Sequence, residues 1–216
     1  MSHYNAAVLA DSILSFLEQI EQESDTNPEC QKYRSRTGLI CAAEHRNPLG
    51  NRRDVEDAIT RWLAEFFPNA VSQDTHAASN KRPDIVFTYD DDSRLNQKTT
   101  VYLEAKPVWK SWITSGEFEY GNTPDTEGRC HATSHKVNID QVVSDRDKLL
   151  NTYTDPNDRH LLLALVFQRP EELDEQLISA VGPGWTHHKR HILDRCNPPG
   201  DNIGVTGMVF WPDHES

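Results

Sequence analysis

Residues 83–106 read PDIVFTYDDDSRLNQKTTVYLEAK. Two stretches rich in β-branched and aromatic residues, 84–90 and 99–106, flank a polar run from Asp90 to Asn96, the pattern of two strands joined by a turn. In an antiparallel hairpin, paired positions have a constant sum. Asp84 and Glu104 sum to 188, which centres the turn at residue 94, in the middle of the polar run. The spacing therefore predicts that Asp84 lies beside Glu104, with both side chains on one face. Two carboxylates set opposite each other repel, and a divalent cation is the natural charge to stand between them. Along 101–106, Val101, Leu103 and Ala105 share a core-facing side, whereas Tyr102, Glu104 and Lys106 share the other. Two acids and a lysine thus converge at the end of a sheet.

The flanking segments supply the rest of a layered domain. Residues 5–22 carry Val8, Ile13, Leu14, Phe16, Leu17 and Ile20 at roughly helical spacing. Residues 24–50 are polar, hold Pro28, Gly38, Pro48 and Gly50, and read mainly as loop. A second helix is expected from about Asn51–Asp54, with Val55, Ile59, Trp62, Leu63 and Phe66 on one face and Pro68 as its stop. A weak strand at 70–73 precedes the hairpin. The stretch 107–134 is rich in Gly, Thr and aromatics, lacks periodicity and reads as a long, functional loop. Residues 136–151 form a helix with Ile139, Val142, Val143, Leu149 and Leu150 as its apolar stripe. His160–Phe167 (HLLLALVF) is a continuous apolar strand, expected at the centre of a sheet and buried on both faces. A helix at Glu171–Val181, opened by Pro170, and a strand at 203–211 complete the order. Helices alternating with strands define an α/β or mixed α+β class, a central mixed sheet flanked by helices, in one domain spanning 1–216.

Composition narrows the function. The 216 residues are 36% hydrophobic and 26% charged, those of a soluble globular chain. No apolar run reaches membrane-span length and no signal peptide precedes the first helix, so a cytoplasmic location is expected. Cys30, Cys41, Cys130 and Cys196 are scattered without a CxxC pair and read as reduced thiols. The net charge of −12 opposes unspecific binding to nucleic acid, but it is uneven. Residues 1–29 hold six acids and no Lys or Arg, whereas 30–53 hold Lys32, Arg34, Arg36, Arg46, Arg52 and Arg53 against Glu44 alone. Such a segment is either a phosphate-facing patch or a solvated loop.

Asp84, Glu104 and Lys106 suit phosphodiester hydrolysis. Mg²⁺ takes a few carboxylate oxygens and keeps several waters. Asp84 and Glu104 would provide those oxygens, with the Ala105 carbonyl as a further ligand. Lys106 would orient or deprotonate the attacking water and stabilise charge on the phosphorane. Pro83-Asp84 followed by Glu104-Ala105-Lys106 resembles the PD-(D/E)XK signature of the restriction-endonuclease-like superfamily. The core of that superfamily, a helix, three antiparallel strands, a helix and a further strand, has counterparts here at 51–67, 70–106, 136–151 and 160–167. The resemblance covers about 51–167; nothing at either end resembles a known family.

The resemblance implies a Mg²⁺-dependent endonuclease acting on DNA, with Mn²⁺ able to substitute. A restriction or other anti-invader defence setting follows, with a homodimer or a larger defence assembly as the working form. It also implies a glutamate on the first core helix near the metal, for which Glu56 is the candidate; an ordinary first-turn glutamate complementing the helix dipole is the alternative. A polar residue on the helix after the lysine faces the site in some members. Gln141 is the candidate, within a stripe of Asn138, Gln141, Asp145 and Lys148 that otherwise reads as a solvated face. Arg52, Arg53, Lys110, Arg129 and Lys136 are candidate nucleic-acid contacts, Lys110 foremost because it lies among Trp109, Trp112, Phe118 and Tyr120. An RNA-directed nuclease with the same chemistry, and a non-catalytic nucleic-acid- or protein-binding module on the same fold, stay open. His187, His188 and His191 near Cys196 have zinc-like spacing, as do Cys41 and His45. After Pro183 and Gly184, however, the histidines read as a polar basic loop.

Overall fold

The structure, a computed structural model, describes residues 4–23, 52–67, 69–72, 83–90, 98–109, 135–168, 173–193 and 204–215. The helices are α1 (Ala6–Glu23), α2 (Arg52–Ala64), α3 (His135–Thr152) and α4 (Asp174–Val181). The strands are β1 (Val71–Ser72), β2 (Ile85–Asp90), β3 (Lys98–Trp109), β4 (Asp158–Gln168), β5 (Trp185–Leu193) and β6 (Gly204–Pro212), followed by a 3₁₀ turn at Asp213–Glu215. The six strands form one mixed sheet in the order β1-β2-β3-β4-β6-β5, an α+β architecture. Among the described strands only β3 and β4 run parallel; α3 lies in the connection between them. Among the described residues, no helix is long and apolar enough to cross a membrane.

The helices cover both faces of the sheet. On one face α1 and α2 pack through Leu9, Ile13, Leu17, Ile59 and Leu63 onto Ile85, Phe87, Val101, Leu103, Leu161, Leu163 and Val209. On the other face Ile139, Val142 and Leu149 of α3 and Leu177 and Val181 of α4 meet Leu162, Ala164, Val166, Met208 and Phe210. β4 sends alternate side chains into both cores, which is why its sequence is apolar without a break. Each such side chain withdrawn from water contributes about 1.5–3 kcal/mol before chain entropy is counted. Asn5 starts α1: its Oδ1 accepts the Val8 N–H at 2.9 Å. Phe16 stacks on Trp62, centroids 4.8 Å apart, tying α1 to α2.

The hairpin has the register expected from its sequence. Ile85 pairs with Leu103 and Val86 with Tyr102, positions that again sum to 188. β3 continues past Lys106 to Trp109, so the first three residues of the expected 107–134 loop are strand; 110–134 lie outside the described residues, as do 24–50. The helix expected at 171–181 is seen from Asp174, with residues 171 and 172 outside the described set. Leu150, assigned to the apolar stripe of α3, is exposed, and Val143 is only half-buried.

One expectation is overturned. Residues 185–193 are not a polar loop but the edge strand β5, nine residues long and antiparallel to β6. The strand lacks apolar alternation because ion pairs serve both of its faces. His188 and Arg190 reach Asp11 on α1, and Arg190 also reaches Glu18, while Lys189 meets the buried Asp174 at 3.0 Å on the opposite face. On a strand, His187 and His191 stand about 13 Å apart, too far to share one metal ion. Charged edge residues also discourage pairing with another chain.

Candidate active site

Asp84 sits immediately before β2, in register with Glu104 of β3. Both side chains are about 1% exposed, at the face opposite the Leu103 core. The Ala105 N–H donates to Asp84 Oδ2 at 2.8 Å, which fixes the aspartate against the neighbouring strand. Alternation turns Tyr102, Glu104 and Lys106 toward α3, as the sequence predicts. That helix answers with two opposite charges. Lys148 donates to Glu104 Oε1, and Asp145 Oδ2 pairs with the Lys106 ammonium at 2.8 Å. The acid-then-base order on β3 thus meets an acid-then-base order on α3, in crossed pairs.

Burial pushes the Glu104 carboxyl up to about 8 and the Asp84 carboxylate adds to the effect; Lys148 opposes both by hydrogen bond and charge. Burial beside a second acid makes Glu104 a candidate functional position, although structural ion-pair networks produce the same direction of shift. The donor set is two buried carboxylates, on Asp84 and Glu104. Among the described residues, no three His, Cys, Asp or Glu side chains converge as a metal-holding group. Two carboxylates fit Mg²⁺, which completes its shell with water and substrate oxygens, and do not fit a four-ligand structural zinc.

The structure brings together Asp84, Glu104, Ala105 and Lys106. Gln141 lies on α3 with its side chain exposed; Asp145 and Lys148 of the same stripe are the residues turned to β3. Glu56 lies on α2, and Arg52 and Arg53 near the start of that helix, but their side chains are outside the described residues. Lys136 is in the first turn of α3, its side chain likewise outside, and Lys110 and Arg129 fall wholly outside. Asp145 and Lys148 were the sequence's missed signal. Placed i and i+3 beside Val142 and Leu149, they border the buried stripe, and their charges are the reverse of those on the facing strand. No protein-family model, no curated protein and no solved structure matches this chain.

Proposed function

We propose that this chain is a Mg²⁺-dependent phosphodiester hydrolase, an endonuclease acting on DNA, in a restriction or other anti-invader role. The observation that carries the proposal is the placement of Asp84 and Glu104 side by side and buried, with Lys106 two residues on along the same face. The element order α2, β1, β2, β3, α3, β4 supports it, since it is the order implied by the resemblance of Pro83-Asp84 and Glu104-Ala105-Lys106 to the PD-(D/E)XK signature.

In this reading Asp84, Glu104 and the Ala105 carbonyl hold the cation, which supplies Lewis acidity toward a phosphoryl oxygen. The Ala105 N–H keeps Asp84 in place, so the two acids are set before substrate arrives. Lys106 orients the attacking water and offsets charge developing on the phosphate. Asp145 holds the Lys106 ammonium in position until then.

A second reading, a non-catalytic binding module on the same fold, draws on the net charge of −12 and on the pairing of both site lysines with acids. The two separate in one experiment. Purified protein is incubated with supercoiled plasmid, and in parallel with single-stranded RNA, in Mg²⁺, Mn²⁺ or EDTA, beside Glu104→Ala and Lys106→Ala. Metal-dependent nicking or linearisation, absent from both variants, is the expected result. Cleavage of RNA alone would move the substrate class, and no cleavage with either metal would leave the binding module.

A further inference from the structure

The candidate site contains more cation than the two-acid-and-lysine pattern calls for. Asp84, Glu104 and Asp145 supply three carboxylates; Lys106 and Lys148 supply two ammonium groups. With all ionised, one negative charge is left. The two ammonium groups are not equivalent. Lys106 extends from the rigid strand β3 and is held by Asp145 of α3 at 2.8 Å. Lys148 extends from α3 and is seated directly on Glu104 Oε1, one of the two oxygens of a carboxylate that the proposed function gives to the metal. An ammonium on one oxygen of that carboxylate and a divalent cation on either oxygen would stand about 4 Å apart or closer, where like charges in a partly buried site repel by several kcal/mol.

We infer that Lys148 is the resident counter-ion of Glu104, competing with the divalent cation for that carboxylate, so that cation loading separates the Lys148–Glu104 pair while the Lys106–Asp145 pair persists. Resting on the metal-site reading above, this makes Lys148 a positioning residue. It neutralises a buried carboxylate when no cation is bound, and it sets the concentration at which the cation can enter. The lysine stem is flexible and its side chain is about one-fifth exposed, so the ammonium has a path to water when displaced. Once displaced it stands beside the cation site as a second positive group facing an incoming phosphate. Lys106, pinned by Asp145, has no such exchange to make.

The test is Mn²⁺ binding to the full chain by titration calorimetry at pH 8.5, where Glu104 is ionised, for wild type, Lys148→Met, Lys148→Arg, Lys106→Met and Asp84→Asn. Lys148→Met is expected to bind about tenfold more tightly than wild type, the factor set by losing one charge-assisted hydrogen bond that competes with the ion. Lys148→Arg is expected to stay within about threefold of wild type, because the competing cation is retained. Lys106→Met is expected to gain less than Lys148→Met. Equal gains in Lys106→Met and Lys148→Met would reduce Lys148 to one more nearby charge and overturn the inference. Binding by wild type that Asp84→Asn weakens, with Lys148→Met unchanged or weaker, would leave the metal site standing and remove the competition. No binding by either wild type or Lys148→Met would remove both. If Lys148→Met does not fold, amine labelling of the wild type with acetic anhydride decides. Label on the peptide bearing Lys148 is expected to rise severalfold when Mn²⁺ is added, and an unchanged yield would overturn the inference.

Discussion

Replacing Glu104 by Gln removes a buried charge and keeps the side-chain volume. Burial, then the Asp84 carboxylate, pushes Glu104 from its ordinary 4.5 up to about 8. Between those values the folded protein holds a proton that the unfolded chain has released. Stability therefore falls as pH rises through that window, and the wild type is least favoured above pH 8. The window is about 3.5 pH units wide, and each unit is worth ~1.4 kcal/mol, so the ceiling is about 5 kcal/mol. Relaxation of the side chain toward water reduces the cost of a buried ion, and we expect about 2–3 kcal/mol to be measured. Near pH 4.5 the wild-type carboxyl is neutral and the two proteins should agree within about 0.5 kcal/mol. The assay is urea unfolding in EDTA at pH 5, 7 and 8.5. A Glu104→Gln protein no more stable than wild type at pH 8.5, or a difference that does not change with pH, would show that burial does not raise the Glu104 carboxyl. A stabilising loss of the residue proposed to hold the metal is the pattern expected where a charge is kept for chemistry rather than for folding.

Other perturbations probe the frame around the site. Gly207 of β6 lies beneath α1, where an added Cβ would come within 2.5 Å of Leu14 Cδ2 and 2.8 Å of Ile192 Cδ1, both on buried residues. Gly207→Ala should cost about 1–3 kcal/mol in urea unfolding, and an unchanged midpoint would show that α1 can lift away freely. At the C-terminal end, Glu215 accepts the His160 N–H at 2.8 Å through Oε2. Its Oε1 lies 2.6 Å from His160 Nδ1, while His160 Nε2 lies 2.9 Å from the Tyr153 carbonyl. Glu215→Ala leaves a buried N–H and ring nitrogen without that carboxylate and should cost about 2–4 kcal/mol, whereas Glu215→Gln should cost less than half as much, read by the same assay. Arg146 of α3 donates to the Val181 carbonyl at 2.5 Å and closes the end of α4. Arg146→Met should raise amide exchange in the last turn of α4 about fivefold, with the β4 amides unaffected; equal acceleration in both would mean global destabilisation instead.

The hairpin and its acids were legible because the information is local. A polar run centred on residue 94 and a two-residue alternation are enough to set Asp84 beside Glu104 and to put Lys106 on the same face. β4 was legible for a related reason: eight residues with scarcely a polar atom leave no face for water, so the strand lies inside the sheet. β5 was not legible. Its side chains are polar on both faces, and they are accommodated by Asp11 and Glu18, more than 170 residues away in the chain, and by Asp174. The strand itself contains none of those partners, and two of the three come from the other end of the chain, so a strand built on ion pairs reads as loop. The stripe on α3 had the same difficulty. Asp145 and Lys148 look like a solvated face until the helix is docked against Glu104 and Lys106, 39 or more positions earlier.

Local sequence pattern was therefore enough for the segments with a regular apolar period, to tell helix from strand and to line up the two arms of the hairpin, but not for β5. Such assignments depend on steric and hydrophobic patterns that repeat every two or 3.6 residues. Which charges meet was set by the packing of the layers. Ion pairs join side chains from elements far apart along the chain, and their energy depends on the distance and burial created when the layers close. That closure placed Lys148 on Glu104 and Asp145 on Lys106.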